Sequence, residues 1–83
     1  MSNYNGYENF ETWNVVIFIS NTEWLYYSAR EFMAEFTGKN PYIAFINHVG
    51  YESEFTMDRV AYIGYKLDYQ ELDEFMVDYF KDE

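Results

Sequence analysis

The side chains best suited to chemistry in this chain are carboxylates, and they are concentrated at its C-terminal end. Seven of the last sixteen residues are acidic, against a single base, Lys81. Four of these acids, Glu71, Glu74, Asp78 and Asp82, follow the spacing i, i+3, i+7, i+11. On a helix this spacing places them in one row, with about 5–6 Å between neighbouring Cβ atoms. We call this row the acidic ridge.

The acidic ridge opposes helix formation. Like charges at this spacing destabilise an isolated helix by a few tenths of a kcal/mol per pair, and Asp78 and Asp82 lie near the helix C-terminus, where the macrodipole disfavours anions. A functional interpretation is that the carboxylates imitate phosphates and bind Arg and Lys side chains of a basic partner through charge-assisted hydrogen bonds. The alternative interpretation is a helix face that only meets solvent.

The composition of the whole chain also favours a basic partner. Fifteen Asp and Glu residues against five Lys and Arg give a net charge of −10 at pH 7, beyond the magnitude of about 2–8 that suits a small soluble domain. Such a charge repels nucleic acids and anionic membranes, so we expect neither to be a direct partner. Solubility alone is the alternative explanation.

Aromatic residues are more abundant than a small core requires. Ten Tyr, eight Phe and two Trp make up 24% of the chain, so several tyrosines must be at least partly exposed, and tyrosine is enriched at protein interfaces. We therefore predict a partner-binding surface built from acids and tyrosines. The predicted residues are Glu31, Glu35, Asp68, Tyr69, Glu71, Glu74, Asp78, Asp82, Tyr4 and Tyr7.

Catalytic and metal-binding patterns are missing. The chain has no cysteine, which excludes Cys–His catalysis, disulfides and thiolate metal sites. The only histidine is His48, and no serine lies in a nucleophile-elbow pattern. The acids of residues 68–74 do not match the EF-hand spacing, and the four glycines form no phosphate-binding loop. We expect a protein that is not an enzyme and needs no cofactor or metal.

The first half of the chain predicts an arm followed by two helices. Residues 1–8 lack periodicity and are expected to form a flexible arm. Asn9 is a predicted N-cap of a helix that ends near residue 20, although the apolar run 15–19 also suits a buried strand. Asn21 or Thr22 then caps a helix that reaches residue 36, with Gly38 as its C′ residue.

The middle of the chain is less regular. Asn40 and Pro41 predict the start of a short helix that Gly50 stops. Residues 37–50 contain no acid; we interpret them as a core-facing helix or, alternatively, as a self-association face that would make a homodimer. For residues 51–66 a helix capped by Thr56 and a short strand through residues 60–62 both remain open.

The last helix has the clearest signals. Asp68 and Glu71 form a capping-box pattern, and apolar residues at 72, 75, 76, 79 and 80 give one buried stripe. The predicted fold is therefore mainly α, a compact bundle of four to five short helices in one domain spanning residues 1–83. An α+β fold with one short β-hairpin is the alternative.

Residues 6–15, with the sequence GYENFETWNV, resemble the opening of a family of small, uncharacterised phage and mobile-element proteins that begin approximately Gly-Trp-x-Asn-Tyr-Glu-Thr-Trp-Asn-Val. Tyr7 and Phe10 stand where Trp and Tyr are usual in that family. The resemblance implies a viral or mobile-element origin and supplies no catalytic residue.

Small, strongly acidic viral proteins suggest by analogy an inhibitor of a host nucleic-acid-targeting defence complex. The expected partner is then the basic nucleic-acid-binding surface of a CRISPR effector or restriction enzyme, occupied by DNA mimicry. The alternative is a protein–protein adaptor that uses Tyr and apolar contacts, with the acids serving only solubility. Residues 1–10 show no leader pattern and the run 15–19 is too short to span a bilayer, so we expect a cytoplasmic protein.

Overall fold

A computed structural model describes residues 4–80 of the chain; Asp82, the last member of the acidic ridge, lies outside the described residues. Four helices make up most of the described chain: α1 (Phe10–Asn21), α2 (Glu23–Glu35), α3 (Pro41–Val49) and α4 (Tyr69–Phe80). The mainly α bundle predicted from sequence is confirmed, with four helices in residues 4–80. None of these helices has the length and apolarity that crossing a bilayer requires.

The N-cap of α1 is the one predicted from sequence. The side chain of Asn9 accepts a hydrogen bond from the backbone N–H of Thr12, at 2.9 Å, which satisfies one of the free amides of the first turn. Val15 and Ile19 are completely buried. The β-branched run is therefore a buried helix face, and the strand alternative is wrong.

Helix α2 is present as predicted, but its end differs from the prediction. Leu25, Ala29 and Met33 are buried against the core. The C-cap residue is Phe36, with an extended backbone, and Gly38 does not adopt the left-handed conformation of a C′ glycine. A Cβ at Gly38 would lie 3.2 Å from the ring of Phe36, so this glycine makes room for the ring.

Helix α3 begins with a cap that comes from another helix. Asn40 is left-handed, with φ of 57°, and makes no side-chain cap. The carboxylate of Asp73 on α4 instead accepts a hydrogen bond from the backbone N–H of Tyr42, at 2.9 Å. At the other end Gly50 is the C-cap, with φ of 78°, as predicted.

Residues 51–68 form an irregular segment, and the helix and the strand predicted as alternatives within residues 51–66 are both absent. One isolated antiparallel bridge joins Phe55 to Ala61, and no helix includes these residues. The Thr56 hydroxyl oxygen accepts hydrogen bonds from the N–H groups of Asp58 and Val60, each at 3.2 Å. The same hydroxyl donates to Asn14 Oδ1, at 2.7 Å. Thr56 therefore organises a turn and attaches it to α1.

The core lies where α2 and α4 meet, since each of these helices packs against the other three. Tyr42, Phe45 and Ile46 of α3 are completely buried there, which confirms the core-facing interpretation of α3. The Tyr42 hydroxyl donates a hydrogen bond to the backbone carbonyl of Tyr62, at 2.5 Å. This bond ties the 51–68 segment to the centre of the bundle.

Candidate partner-binding site

Three members of the acidic ridge face the N-terminal segment. Glu71, Glu74 and Asp78 of α4 line one side of a groove of about 430 Å³, and Tyr7 lines the other side. Phe75 and Tyr79 also belong to its wall. We call this the acidic groove. It brings together four of the residues that the sequence analysis selected.

A tight turn positions Tyr7. The N–H of Tyr4 donates to the carbonyl of Tyr7 at 2.6 Å, and the N–H of Tyr7 donates to the carbonyl of Tyr4 at 2.8 Å. Asn5 and Gly6 between them have φ of 50° and 92°, the positive values that a two-residue type I′ hairpin turn requires. The arm predicted for residues 1–8 does not include this turn, although the Asn-Gly pair is a known signal for it.

Glu71 attaches the N-terminal segment to α4. Its Oε1 accepts a hydrogen bond from the backbone N–H of Glu8, at 2.7 Å. In a complete capping box this carboxylate would accept from the N–H of Asp68, but that N–H donates to the Thr12 hydroxyl, at 2.9 Å. The other half of the box is present, since Asp68 Oδ1 accepts from the N–H of Glu71, at 3.1 Å.

Among the described residues, only acids contribute charge to the lining of the acidic groove. The pKa of the half-buried Tyr7 is raised, first by burial and then by the charges of Glu71 and Asp78. The one ion pair between residues in the 4–80 range joins Lys66 Nζ to Glu11 Oε2, at 3.8 Å, and neither residue lines the groove. Glu74 and Asp78 are exposed, so a partner can reach both carboxylates.

Glu31 and Glu35 lie on a different part of the surface. Both are exposed on α2 and line a second groove, of about 710 Å³, together with Phe32 and His48. The ring of Tyr26 contacts Tyr79 and Phe80 of α4. At about 100° per residue, Glu35 points away from Tyr26 around the α2 axis, and so away from the side of α2 that meets the end of α4.

The remaining predicted residues serve the fold to different degrees. The Tyr69 hydroxyl accepts from the N–H of Gly64 and donates to its carbonyl, at 2.8 and 2.9 Å, so its polar group is already paired. Asp68 caps α4. Tyr4 is 40% exposed, and its ring packs against Phe10 and Trp13. None of these three lines the acidic groove.

The groove does not have the geometry of a metal site. No three His, Asp or Glu side chains within the described residues are arranged to hold a metal ion. Carboxylates that are dispersed along a groove suit several cationic side chains or one extended basic surface better than they suit a single ion.

A family model for proteins of unknown function matches residues 1–83. The chain belongs to the DUF7249 family. No curated protein and no solved structure matches the chain. In this DUF7249 protein the acidic groove is the feature that best indicates a function.

Proposed function

We propose that the protein uses the acidic groove to bind the basic, nucleic-acid-binding surface of a host protein. In this proposal it is a phage-type inhibitor of a nucleic-acid-targeting defence complex, such as a CRISPR effector or a restriction enzyme, and acts in the host cytoplasm. The observation that carries the proposal is the row of Glu71, Glu74 and Asp78 beside Tyr7, on a chain of net charge −10.

The groove supplies the contacts that arginine binds best. A guanidinium group forms two parallel hydrogen bonds with a carboxylate and also stacks on aromatic rings. Glu74 and Asp78 provide exposed carboxylates, while Tyr7 and Tyr79 provide rings along the same groove. A cation over a tyrosine ring contributes about 0.5–1 kcal/mol at an exposed site, and more where water is excluded.

Because α4 is a rigid helix, it holds the carboxylates of the acidic ridge at fixed spacing, as a phosphate backbone holds its charges. The helix is anchored by Leu72 and Met76, which are completely buried, and Glu71, Glu74 and Asp78 project from the opposite side. Proteins that grip nucleic acids present rows of Arg and Lys to phosphates. Such a row can bind helix carboxylates through the same charge-assisted bonds.

A displacement experiment tests the proposal. Candidate restriction enzymes and CRISPR effectors are loaded with labelled DNA, and release of the DNA by the purified protein is followed by fluorescence anisotropy. We expect Glu74→Gln/Asp78→Asn to weaken displacement at least tenfold, and added salt to weaken displacement by the wild type. Glu71 is left unchanged because it holds Glu8.

Glu31→Gln/Glu35→Gln is the matched control, because each double variant removes two negative charges from the same total of −10. We expect this control to displace DNA as the wild type does. Equal loss in both double variants would mean that only overall charge matters, and unchanged displacement by Glu74→Gln/Asp78→Asn would rule out the acidic groove as the binding site.

A second candidate function is that of a protein–protein adaptor that binds through aromatic contacts. Trp24, Tyr27 and Tyr79 are each about half exposed, and Tyr26 contacts both Tyr27 and Tyr79. Partner binding that is insensitive to salt, and is lost in Tyr27→Ala but kept in the acid-to-amide variants, would select this function.

A further inference from the structure

A third groove differs from the other two in its composition. It has a volume of about 350 Å³ and lies between the start of α1 and residues 55–67. Its lining includes three exposed aromatic residues, Phe10, Phe55 and Tyr65, and four charged ones. The charged residues are Glu11, Asp58, Arg59 and Lys66. We call it the mixed groove.

The mixed groove adjoins the most exposed apolar side chains of residues 4–80. Phe55 is 62% exposed, Met57 87% and Tyr65 91%. At about 200 Å² for a side chain of this size, the three present on the order of 500 Å² to solvent. Exposed apolar side chains that are concentrated in one short segment indicate an interaction site.

The charges of the mixed groove balance one another. Its two acids are matched by Arg59 and Lys66, which are two of the four Lys and Arg residues within the described range. The acidic groove and the groove beside Glu31 contain no Lys or Arg. The mixed groove is therefore a locally neutral region on a strongly anionic molecule.

Arg59 is held in a conformation that a long side chain rarely adopts. Its φ is 71°, a left-handed value that costs on the order of 1 kcal/mol for a residue other than Gly, Asn or Asp. The Thr56 carbonyl accepts a hydrogen bond from the Arg59 N–H, at 2.8 Å. The Thr56 hydroxyl oxygen accepts hydrogen bonds from the N–H groups of Asp58 and Val60, the residues on either side of Arg59. Asn or Gly would fit this turn with less strain, so the turn itself does not require arginine.

We propose that the mixed groove is the interface of a homodimer in which the same face of two copies meets across a two-fold axis. Such an interface must be complementary to itself. A face with apolar residues and balanced charges meets this condition. Lys66 already pairs with Glu11 of its own copy, so the pairing between copies falls to Arg59 of one copy and Asp58 of the other. Either of the other two grooves, placed against its own copy, would bring like charges together.

The dimer would also solve a problem of charge. Two chains of net charge −10 repel each other at a distance, but contact through the neutral face keeps the acidic groove of each copy outside the interface. The residues of the mixed groove do not overlap with those of the acidic groove. Dimerisation through the mixed groove is therefore independent of partner binding in the acidic groove, and a failure of one would not imply a failure of the other.

Sedimentation velocity of the full chain over a range of concentrations tests the dimer. A monomer has a mass of 10.1 kDa, and we expect the mass to double and then stay constant as concentration rises. Arg59→Glu should weaken dimerisation at least tenfold. Arg30→Glu is the matched control, because Arg30 is exposed on α2 and the same charge change there should leave the dimer intact.

A second pair of variants tests the apolar part of the interface. Tyr65→Ser should also weaken the dimer at least tenfold, whereas Tyr27→Ser, which removes an exposed tyrosine from α2, should not. Circular dichroism checks that all four variants keep the helical fold.

Three results would overturn the proposal. The first is a wild type that stays monomeric at all concentrations, including one that binds a foreign protein through this face. The second is a dimer that Arg59→Glu and Tyr65→Ser leave intact. The third is assembly that continues beyond two copies, because a two-fold interface closes on itself.

Discussion

The backbone N–H of Glu8 donates a hydrogen bond to the carboxylate of Glu71, which is 63 residues away in the chain. This bond attaches the turn that carries Tyr7 to the helix that carries the acidic ridge. Glu71 therefore has a structural role that Glu74 and Asp78, on the same ridge, do not share.

Glu71→Ala should lower the free energy of unfolding by about 1 kcal/mol, because it removes a charge-assisted hydrogen bond at a partly exposed site. For a domain of this size that corresponds to a fall in Tm of about 4–8 °C, measured by thermal unfolding. Glu71→Gln keeps an acceptor oxygen and should lose less. Glu74→Ala is the control, and a loss in Glu74→Ala as large as that in Glu71→Ala would contradict the role given to the Glu8 contact.

Thr56→Val should be more damaging. The buried Thr56 hydroxyl accepts two backbone N–H groups and donates to Asn14, and valine leaves all three groups without that partner. Unsatisfied buried polar groups cost about 1–3 kcal/mol each, so we expect a loss of at least about 2 kcal/mol in urea unfolding. Thr56→Ser keeps the hydroxyl and should retain most of the stability; an equal loss in Thr56→Ser would show that the methyl group dominates.

These contacts also show why some parts of the molecule could be predicted from sequence and others could not. The Asn9 cap acts over three residues, and the α4 stripe repeats within one helix, so local spacing predicts both. Four of the five stripe residues are buried, and only Tyr79, which is 54% exposed, departs from the prediction. The Thr56 turn depends on Asn14, and the start of α3 depends on Asp73, at separations of 42 and 31 residues. Local propensity carries no information about such partners, and both alternatives predicted for residues 51–66, a helix and a strand, are therefore wrong.

The same distinction applies to the candidate site. The i, i+3, i+7 spacing was enough to place Glu71, Glu74 and Asp78 in one row, which the structure confirms. The position of Tyr7 beside that row depends on the hydrogen bond between Glu8 and Glu71. The separation of Glu35 from the acidic ridge depends on how α2 packs against α4. Both are tertiary relationships that the sequence pattern does not contain.

Alkaline pH should unfold the protein because of its buried tyrosines. Burial, and then the neighbouring Tyr51, raises the pKa of Tyr62 from 10.0 to about 12, and burial raises that of Tyr42 still further. The folded state therefore keeps protons that the unfolded state releases above pH 10. The stability due to these neutral phenols is complete below pH 10 and is lost as the pH rises through the folded-state pKa.

Each such tyrosine should make the free energy of unfolding fall by about 1.4 kcal/mol per pH unit between pH 10 and 12. Urea unfolding at a series of pH values measures this slope. Tyr62→Phe should reduce the slope by about one proton's contribution, with little change at pH 7. A slope identical to that of the wild type would contradict the assignment to Tyr62.

The pKa of Tyr7 provides a direct readout of the acidic groove. Because the charges of Glu71 and Asp78 help to raise it, Asp78→Asn should lower it, as measured by NMR titration of the Tyr7 ring. An arginine-rich peptide bound in the groove should also lower it, since a nearby cation stabilises the tyrosinate. Glu31→Gln is the control for the mutation, and a lysine-free, arginine-free peptide of the same length is the control for the ligand. A Tyr7 pKa that did not respond to the basic peptide, under conditions where binding is detected, would place the peptide elsewhere on the surface.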